Sequence, residues 1–160
     1  MASRSGSRRL AGAPRSRVPA ATETFRYIES SALLAALLEG EAAARTAIAG
    51  DGRRVTSALT FAESSRAVIR ARVTQRLAPA DEKSAIAWLE EFKRRCDILA
   101  VGADVLERSG RPFPVEPIRT LHAIHLASAE SLGVPPQLVT IVTRDIRVRD
   151  NARALGYIVE

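Results

Sequence analysis

The sequence predicts an α/β domain with a mostly parallel central sheet and helices on both of its faces. Short apolar runs of strand length alternate along the whole chain with segments whose apolar residues recur at helical spacing. The chain has 160 residues, enough for one domain with its own core. Apolar residues make up 46% of it and charged residues 26%, as in ordinary globular domains.

The strands are predicted from short apolar runs, of which 138–142 is the clearest. The short run 97–101 is mainly apolar, which predicts a buried strand. In chain order the predicted strands are 25–28, 54–57, 97–101, 138–142 and 157–159.

The helices are predicted from apolar residues three and four positions apart and from their end signals. Ser30 and Ser31 can cap the first helix, and Gly40 ends it. Three prolines between residues 110 and 117 predict a loop before the strongest helix. In order, the predicted helices are one that carries Leu33, Leu34, Leu37 and Leu38, then 42–49, 59–73, one that begins at Pro79, 103–108, 118–132 and 148–155.

The net charge of +6 comes mainly from the first 22 residues, which contain five arginines and no acid. Subtracting these five from the 24 basic residues leaves 19 against 18 acids in residues 23–160, a balance of +1. Residues 1–22 are also rich in Ser, Gly and Pro, so they are predicted to be a disordered basic tail before a domain at 23–160. The domain itself is not expected to bind nucleic acid through bulk charge.

Several classes of protein do not fit this composition. No apolar run approaches the length of a membrane span, and no apolar stretch follows the basic N-terminus as in a secretory signal. Cys96 is the only cysteine, so an internal disulfide is impossible and a cysteine-based zinc site is not expected. Neither of the usual glycine-rich nucleotide loops occurs. We therefore expect a cytoplasmic protein with no membrane partner.

Three acids stand in apolar or small-residue surroundings, where a carboxylate is costly to bury unless it is paired. Glu29 and Asp145 follow predicted strands, and Glu63 lies on a predicted helix. Because the carboxyl ends of parallel strands meet at one edge of a sheet, we expect these acids to converge. A cluster of carboxylates is what a hard divalent cation requires.

Other side chains have simpler interpretations. Glu63 taken alone could merely form an ion pair with Arg66. His122 and His125 are three apart on a predicted helix, but two ligands do not make a zinc site. His125 lies between apolar neighbours, so we expect it to pack in the core.

Five segments resemble the motifs of PIN domains in both order and spacing. Residues 27–33, Y-I-E-S-S-A-L, resemble the opening Y-L-D-T-S-A-L, and T-F-A-E at 60–63 resembles the second acidic motif. The stretch R-T-L-H-A-I-H-L-A at 119–127 is similar to R-T-L-D-A-I-H-L-A, and V-T-R-D at 142–145 to V-T-x-D. Residues 152–156 match the usual close of the domain. The resemblance covers 25–160, and its nearest subgroup is the VapC-type toxins of bacterial toxin–antitoxin pairs.

The resemblance implies a three-layer α/β/α fold and an endoribonuclease that depends on Mg²⁺ or Mn²⁺. In such enzymes the cation activates a water for attack on an RNA phosphodiester. It also implies a cognate antitoxin and a homodimer. It assigns catalytic roles to the acids Glu29, Glu63 and Asp145. The metal ligands that it implies are these three acids together with His122. Ser31 and Thr143 would support the site through their hydroxyls.

The sequence departs from the family pattern at Glu29 and His122, where the family has aspartate. Imidazole suits Mn²⁺, Zn²⁺ or Ni²⁺ better than Mg²⁺, so the ligand set favours a softer cation. Clustered carboxylates also repel one another, and we expect at least one to have a raised pKa without metal. Three hypotheses remain: an active ribonuclease, a degenerate PIN domain that binds RNA or antitoxin without cleavage, and an α/β interaction module whose acids are not neighbours.

Overall fold

The computed structural model describes residues 23–160, so the tail predicted for residues 1–22 lies outside the described part. Five strands form one sheet in the order β3-β2-β1-β4-β5, and every neighbouring pair is parallel. The strands are β1 Phe25–Ile28, β2 Arg53–Ser57, β3 Asp97–Leu99, β4 Val139–Val142 and β5 Ile158–Val159.

Helices connect the strands, as a parallel sheet requires. The sequence predicted each helix to within about two residues at either end, except that the far end of α4 had no predicted limit. None of the helices in residues 23–160 is long and apolar enough to cross a membrane. The helices are α1 Ser30–Leu38, α2 Ala42–Ala49, α3 Ala58–Val73, α4 Pro79–Arg94, α5 Ala103–Ser109, α6 Thr120–Glu130 and α7 Ile146–Ala154, with a 3-10 turn at Pro136–Leu138.

The core has two halves, one on each face of the sheet. Successive side chains of a strand point to opposite faces, so Tyr27 packs with the residues of α5, α6 and α7, whereas Ile28 packs with those of α1 to α4. Both side chains are almost completely buried. The architecture is therefore the predicted three-layer α/β/α arrangement.

The strand predicted at 97–101 is present over Asp97–Leu99, but the prediction that it is buried was wrong. β3 is only three residues long, and it pairs with β2 at the edge of the sheet. Ile98 is 40% exposed. An apolar run does not reveal whether its strand is central or at an edge, because that depends on the strand order.

The carboxyl ends of β1 and β4 lie side by side at the middle of the sheet. Ile28 pairs with Val142, and the backbone N–H of Glu29 donates to the carbonyl of Val142 at 3.0 Å. The segments that follow these strands, with Glu29 on one and Thr143 and Asp145 on the other, are therefore neighbours.

Candidate metal-binding site

Glu29 connects β1 to α1 and is the N-cap residue of that helix, with extended backbone angles of φ −87° and ψ 154°. Its carboxylate accepts hydrogen bonds from the Ser31 backbone N–H at 3.0 Å, the Ser30 hydroxyl at 2.7 Å and the Thr143 hydroxyl at 2.9 Å. The Ser31 hydroxyl also donates to it. The prediction that Ser30 and Ser31 cap α1 was wrong, since Glu29 is the cap and the serines are its donors.

Glu63 and His125 lie beside Glu29. The distance from His125 Nε2 to Glu63 Oε2 is 2.6 Å, and that to Glu29 Oε1 is 3.7 Å. One potential ligand atom from each of these three residues lies within 4.8 Å of the other two. The residues come from the end of β1, from α3 and from α6, so the packing of two helices on the sheet assembles the cluster.

The environment of Glu63 acts on its carboxyl in two opposing ways. Partial burial disfavours the charged form, whereas the contact with His125, with smaller contributions from Ser30 and His122, favours it. The second effect is larger, so the pKa of Glu63 is lowered. The expected rise in pKa therefore does not occur at Glu63, because the hydrogen bond with His125 favours its charged form.

His122 and Asp145 form an adjacent pair, with His122 Nε2 3.5 Å from Asp145 Oδ2. Asp145 is the N-cap of α7, and its Oδ1 accepts from the backbone N–H groups of Arg147 at 2.8 Å and Val148 at 3.1 Å. Its Oδ2 is therefore the oxygen turned toward His122. His122 Nδ1 is buried and has no hydrogen-bond partner among residues 23–160.

Two hydroxyls join Asp145 to Glu29. The Asp145 backbone N–H lies 3.1 Å from both the Ser31 and the Thr143 hydroxyl oxygens. These two hydroxyls are 3.2 Å apart, and both also contact the Glu29 carboxylate. Ser31 and Thr143 thus fix the segment after β1 against the segment after β4.

His125 is the residue at the site that sequence reasoning missed. The prediction that it is buried is confirmed, since it is 1% exposed, but its ring also contacts two of the acids. The available signal was its spacing from His122, because residues three apart on a helix share a face. The hypothesis of scattered acids is contradicted for Glu29 and Glu63, whose oxygens belong to one cluster.

The residues present fit a divalent cation. One carboxylate oxygen of Glu29 and one of Glu63 lie within 4.8 Å of each other, and Asp145 Oδ2 lies 3.5 Å from His122 Nε2. Oxygen donors suit Mg²⁺ and Mn²⁺, and the imidazole adds a nitrogen donor that suits Mn²⁺ better than Mg²⁺.

A family model of the PIN domain matches residues 26–154. The chain belongs to the PIN-domain family. Its sequence is 39% identical over 135 residues to ribonuclease VapC46 of Mycobacterium tuberculosis, across 83% of this chain and 94% of VapC46. It is 36% identical over 141 residues to ribonuclease VapC35 of the same species, across 83% of this chain and 93% of VapC35.

Solved structures of PIN-type proteins have a similar fold. VapC20 of M. tuberculosis, a sarcin–ricin loop cleaving toxin, is similar with a TM-score of 0.59 and 17% identity, over 83% of this chain and 96% of that one. VapBC2 of Rickettsia felis, bound to a promoter DNA fragment, gives a TM-score of 0.56 and 15% identity, over 85% and 97% of the chains. At these identities the likeness concerns the fold.

Proposed function

We propose that this PIN domain is an endoribonuclease, the toxin component of a toxin–antitoxin pair, and that it acts with a divalent cation. The convergence of Glu29, Glu63 and His125 within 4.8 Å at the carboxyl end of the central strand is the observation that carries the proposal. The relatives that are 39% and 36% identical over the aligned residues are ribonucleases, which supports RNA as the substrate class.

The cation would be held by Glu29, Glu63, Asp145 and His122. A divalent cation at this place supplies Lewis-acid activation of a water and offsets negative charge on the phosphate. Glu29 is fixed in advance by several hydrogen-bond donors, so its carboxylate needs little rearrangement to bind a cation. Ser31 and Thr143 act as supports because their hydroxyls orient Glu29 and the backbone at Asp145.

The identity of the cation is a finer part of the proposal. We expect either Mg²⁺ or Mn²⁺ to support cleavage, with Mn²⁺ favoured. His122 carries a nitrogen where an aspartate would supply a charged oxygen, and its Nδ1 has no partner within residues 23–160. A softer cation accepts an imidazole nitrogen in place of a carboxylate oxygen better than Mg²⁺ does.

The proposed partners are an RNA substrate, a cognate antitoxin and a second copy of the chain, all in the cytoplasm. Similar folds occur in the DNA-bound VapBC proteins of R. felis and Salmonella typhimurium, which supports an antitoxin partner.

The experiment is an RNA cleavage assay on the full chain with single-stranded RNA, first in Mg²⁺ and then in Mn²⁺. Asp145→Asn removes a proposed ligand, and Asp150→Asn is the matched control, because Asp150 is a half-exposed acid on the same helix. We expect cleavage that requires metal, is abolished in Asp145→Asn and is retained in Asp150→Asn. Cleavage that survives equally in both variants, or that persists with a chelator, would refute the proposal.

A second candidate is a PIN domain that binds RNA or antitoxin without cleaving. The hydrogen bonds at Glu29 favour it, since Oε2 already accepts from Ser31 and Thr143 and Oε1 accepts from Ser30. A cation must then compete with donors of the protein itself. Binding of RNA without cleavage in either metal would support this candidate.

A further inference from the structure

We propose that Tyr27 and His125 are positioning residues that hold the Glu63 carboxylate for the cation, and that His125 acts through its N–H rather than as a metal ligand. This inference rests on the proposed function, since it assigns roles within the same site. We call the hydrogen-bonded series from Tyr27 through His125 to Glu63 the Tyr27–His125–Glu63 chain.

Both ring nitrogens of His125 are engaged inside the protein. Nδ1 lies 3.0 Å from the Tyr27 hydroxyl, and Nε2 lies 2.6 Å from Glu63 Oε2. The His125 side chain has no exposed surface, and Tyr27 is 1% exposed. The two rings meet edge to face, with centroids 6.2 Å apart and planes at 76°. The imidazole is therefore fixed in orientation by packing and by a partner at each nitrogen.

The 2.6 Å contact determines which nitrogen carries a proton. An unprotonated Nε2 would direct its lone pair at a carboxylate oxygen at this distance, which is repulsive, whereas a protonated Nε2 makes a short charge-assisted hydrogen bond. Carboxylic acids are ordinarily stronger acids than imidazolium ions, so the proton of this short hydrogen bond lies on the nitrogen. Nε2 therefore donates to Glu63.

The Tyr27 hydroxyl completes this assignment. A phenolic hydroxyl ordinarily keeps its proton at neutral pH, so the Tyr27 hydroxyl can donate. In a neutral imidazole with its proton on Nε2, Nδ1 is an acceptor, and the hydroxyl donates to it. Neither nitrogen of His125 then has a free lone pair for a cation.

The consequence for Glu63 is a fixed carboxylate. A glutamate in the middle of a helix has three side-chain torsions, and without a partner it would sample several positions. The N–H of His125 holds Oε2 and leaves Oε1 for the cation. Partners of this kind orient ligands, and their loss commonly weakens metal binding by about 10- to 100-fold.

Phe25 shows that a phenylalanine can pack on the same face of β1 as Tyr27. It lies two residues before Tyr27, so it shares a face of β1 and joins the same half of the core without a hydroxyl. Packing is thus compatible with phenylalanine on this face, and Tyr27→Phe is a mild change that removes the contact to His125.

The first test is nuclear magnetic resonance of the full chain with ¹⁵N-labelled histidine. The sequence contains only two histidines, and a His122→Asn sample assigns the second signal to His125. We expect the His125 proton on Nε2, both in metal-free protein and with saturating Mg²⁺. A proton on Nδ1, or loss of the Nε2 proton when Mg²⁺ is added, would overturn the inference and make His125 a ligand.

The second test is the Mn²⁺ affinity of the metal-free full chain, measured by calorimetry. Tyr27→Phe should bind about tenfold more weakly than the natural sequence. Tyr157→Phe is the matched control, because Tyr157 is the only other tyrosine and is also buried, and it should bind as the natural sequence does. Equal affinity of Tyr27→Phe and Tyr157→Phe overturns the inference.

These outcomes separate the inference from the proposed function. If the natural sequence binds no Mn²⁺ or Mg²⁺, the proposed function fails, while the tautomer of metal-free His125 still tests the Tyr27–His125–Glu63 chain. If the natural sequence binds Mn²⁺ and Tyr27→Phe binds it equally well, the metal site stands and the positioning role is wrong.

Discussion

Thr143→Val changes one oxygen into a methyl group at the junction between the two strand ends. The Thr143 hydroxyl donates to Glu29 Oε2 at 2.9 Å and accepts from the Asp145 backbone N–H at 3.1 Å. It is 3% exposed, so water cannot easily replace either bond. Valine has nearly the same shape, and the change therefore probes the hydrogen bonds rather than the packing.

The expected loss follows from these two bonds. The bond to Glu29 is charge-assisted, and its removal should cost about 1.5 kcal/mol because the carboxylate keeps its other donors. The bond from Asp145 should cost about 0.5 kcal/mol, because its N–H also contacts the Ser31 hydroxyl. The free energy of unfolding should thus fall by about 2 kcal/mol, and the melting temperature by roughly 5–10 °C for a domain of this size.

The assay is urea unfolding followed by circular dichroism, with Thr140→Val as control. Thr140 lies on β4 opposite Arg26, three residues before Thr143 and away from the site. We expect the control to change stability by less than about 0.5 kcal/mol. If both variants lose the same amount, the Thr143 hydroxyl does not join the two strand ends and the account of Ser31 and Thr143 as supports is wrong.

Three further predictions concern charge, packing and metal preference. The hydrogen bond from Arg26 lowers the pKa of Glu160, so Glu160→Gln should lower stability by less than about 1 kcal/mol at pH 7. A carboxyl with a depressed pKa stabilises the fold only while it is ionised, so the difference in unfolding free energy between the variant and the natural sequence should vanish as the pH falls from 4.5 through the lowered pKa. A difference that stays constant with pH in urea unfolding would contradict this. A β-carbon at Gly50 would lie 2.5 Å from Arg26 Nη2, so Gly50→Ala should cost about 1–3 kcal/mol in thermal unfolding, whereas Gly102→Ala, with open space around it, should be nearly neutral. His122→Asp, tested alone and then together with Glu29→Asp, should raise the rate of RNA cleavage in Mg²⁺ relative to the rate in Mn²⁺. An unchanged ratio of the two rates would exclude His122 from the ligands.

Local patterns were sufficient to predict most of the fold. The alternation of short apolar runs with helical periodicity predicted a parallel sheet, and β1 and β4 lie where their sequences indicated. Strand order was not predictable in this way, because it depends on how the whole chain packs. The run at residues 97–101 accordingly looked buried although β3 is an exposed edge strand.

The site was predicted only in part, because local patterns locate the residues after the strands but not the contacts between distant helices. Glu29 and Asp145 follow neighbouring strands, so the rule that strand ends converge brought them to one edge of the sheet. The contact between His125 and Glu63 joins residues far apart in the chain and depends on how α6 packs near α3. No local pattern encodes that contact, and an apolar setting gave His125 the appearance of an ordinary core residue.

The most direct test of the account is a crystal of the full chain soaked in Mn²⁺ and measured at a wavelength where manganese scatters anomalously. We expect a single strong anomalous peak in coordination distance of the Glu29 and Glu63 carboxylates, with His125 Nε2 still directed at Glu63. Saturating Mn²⁺ that leaves no peak between these carboxylates, or that binds only elsewhere on the surface, would contradict the claim that the fold assembles a metal site here.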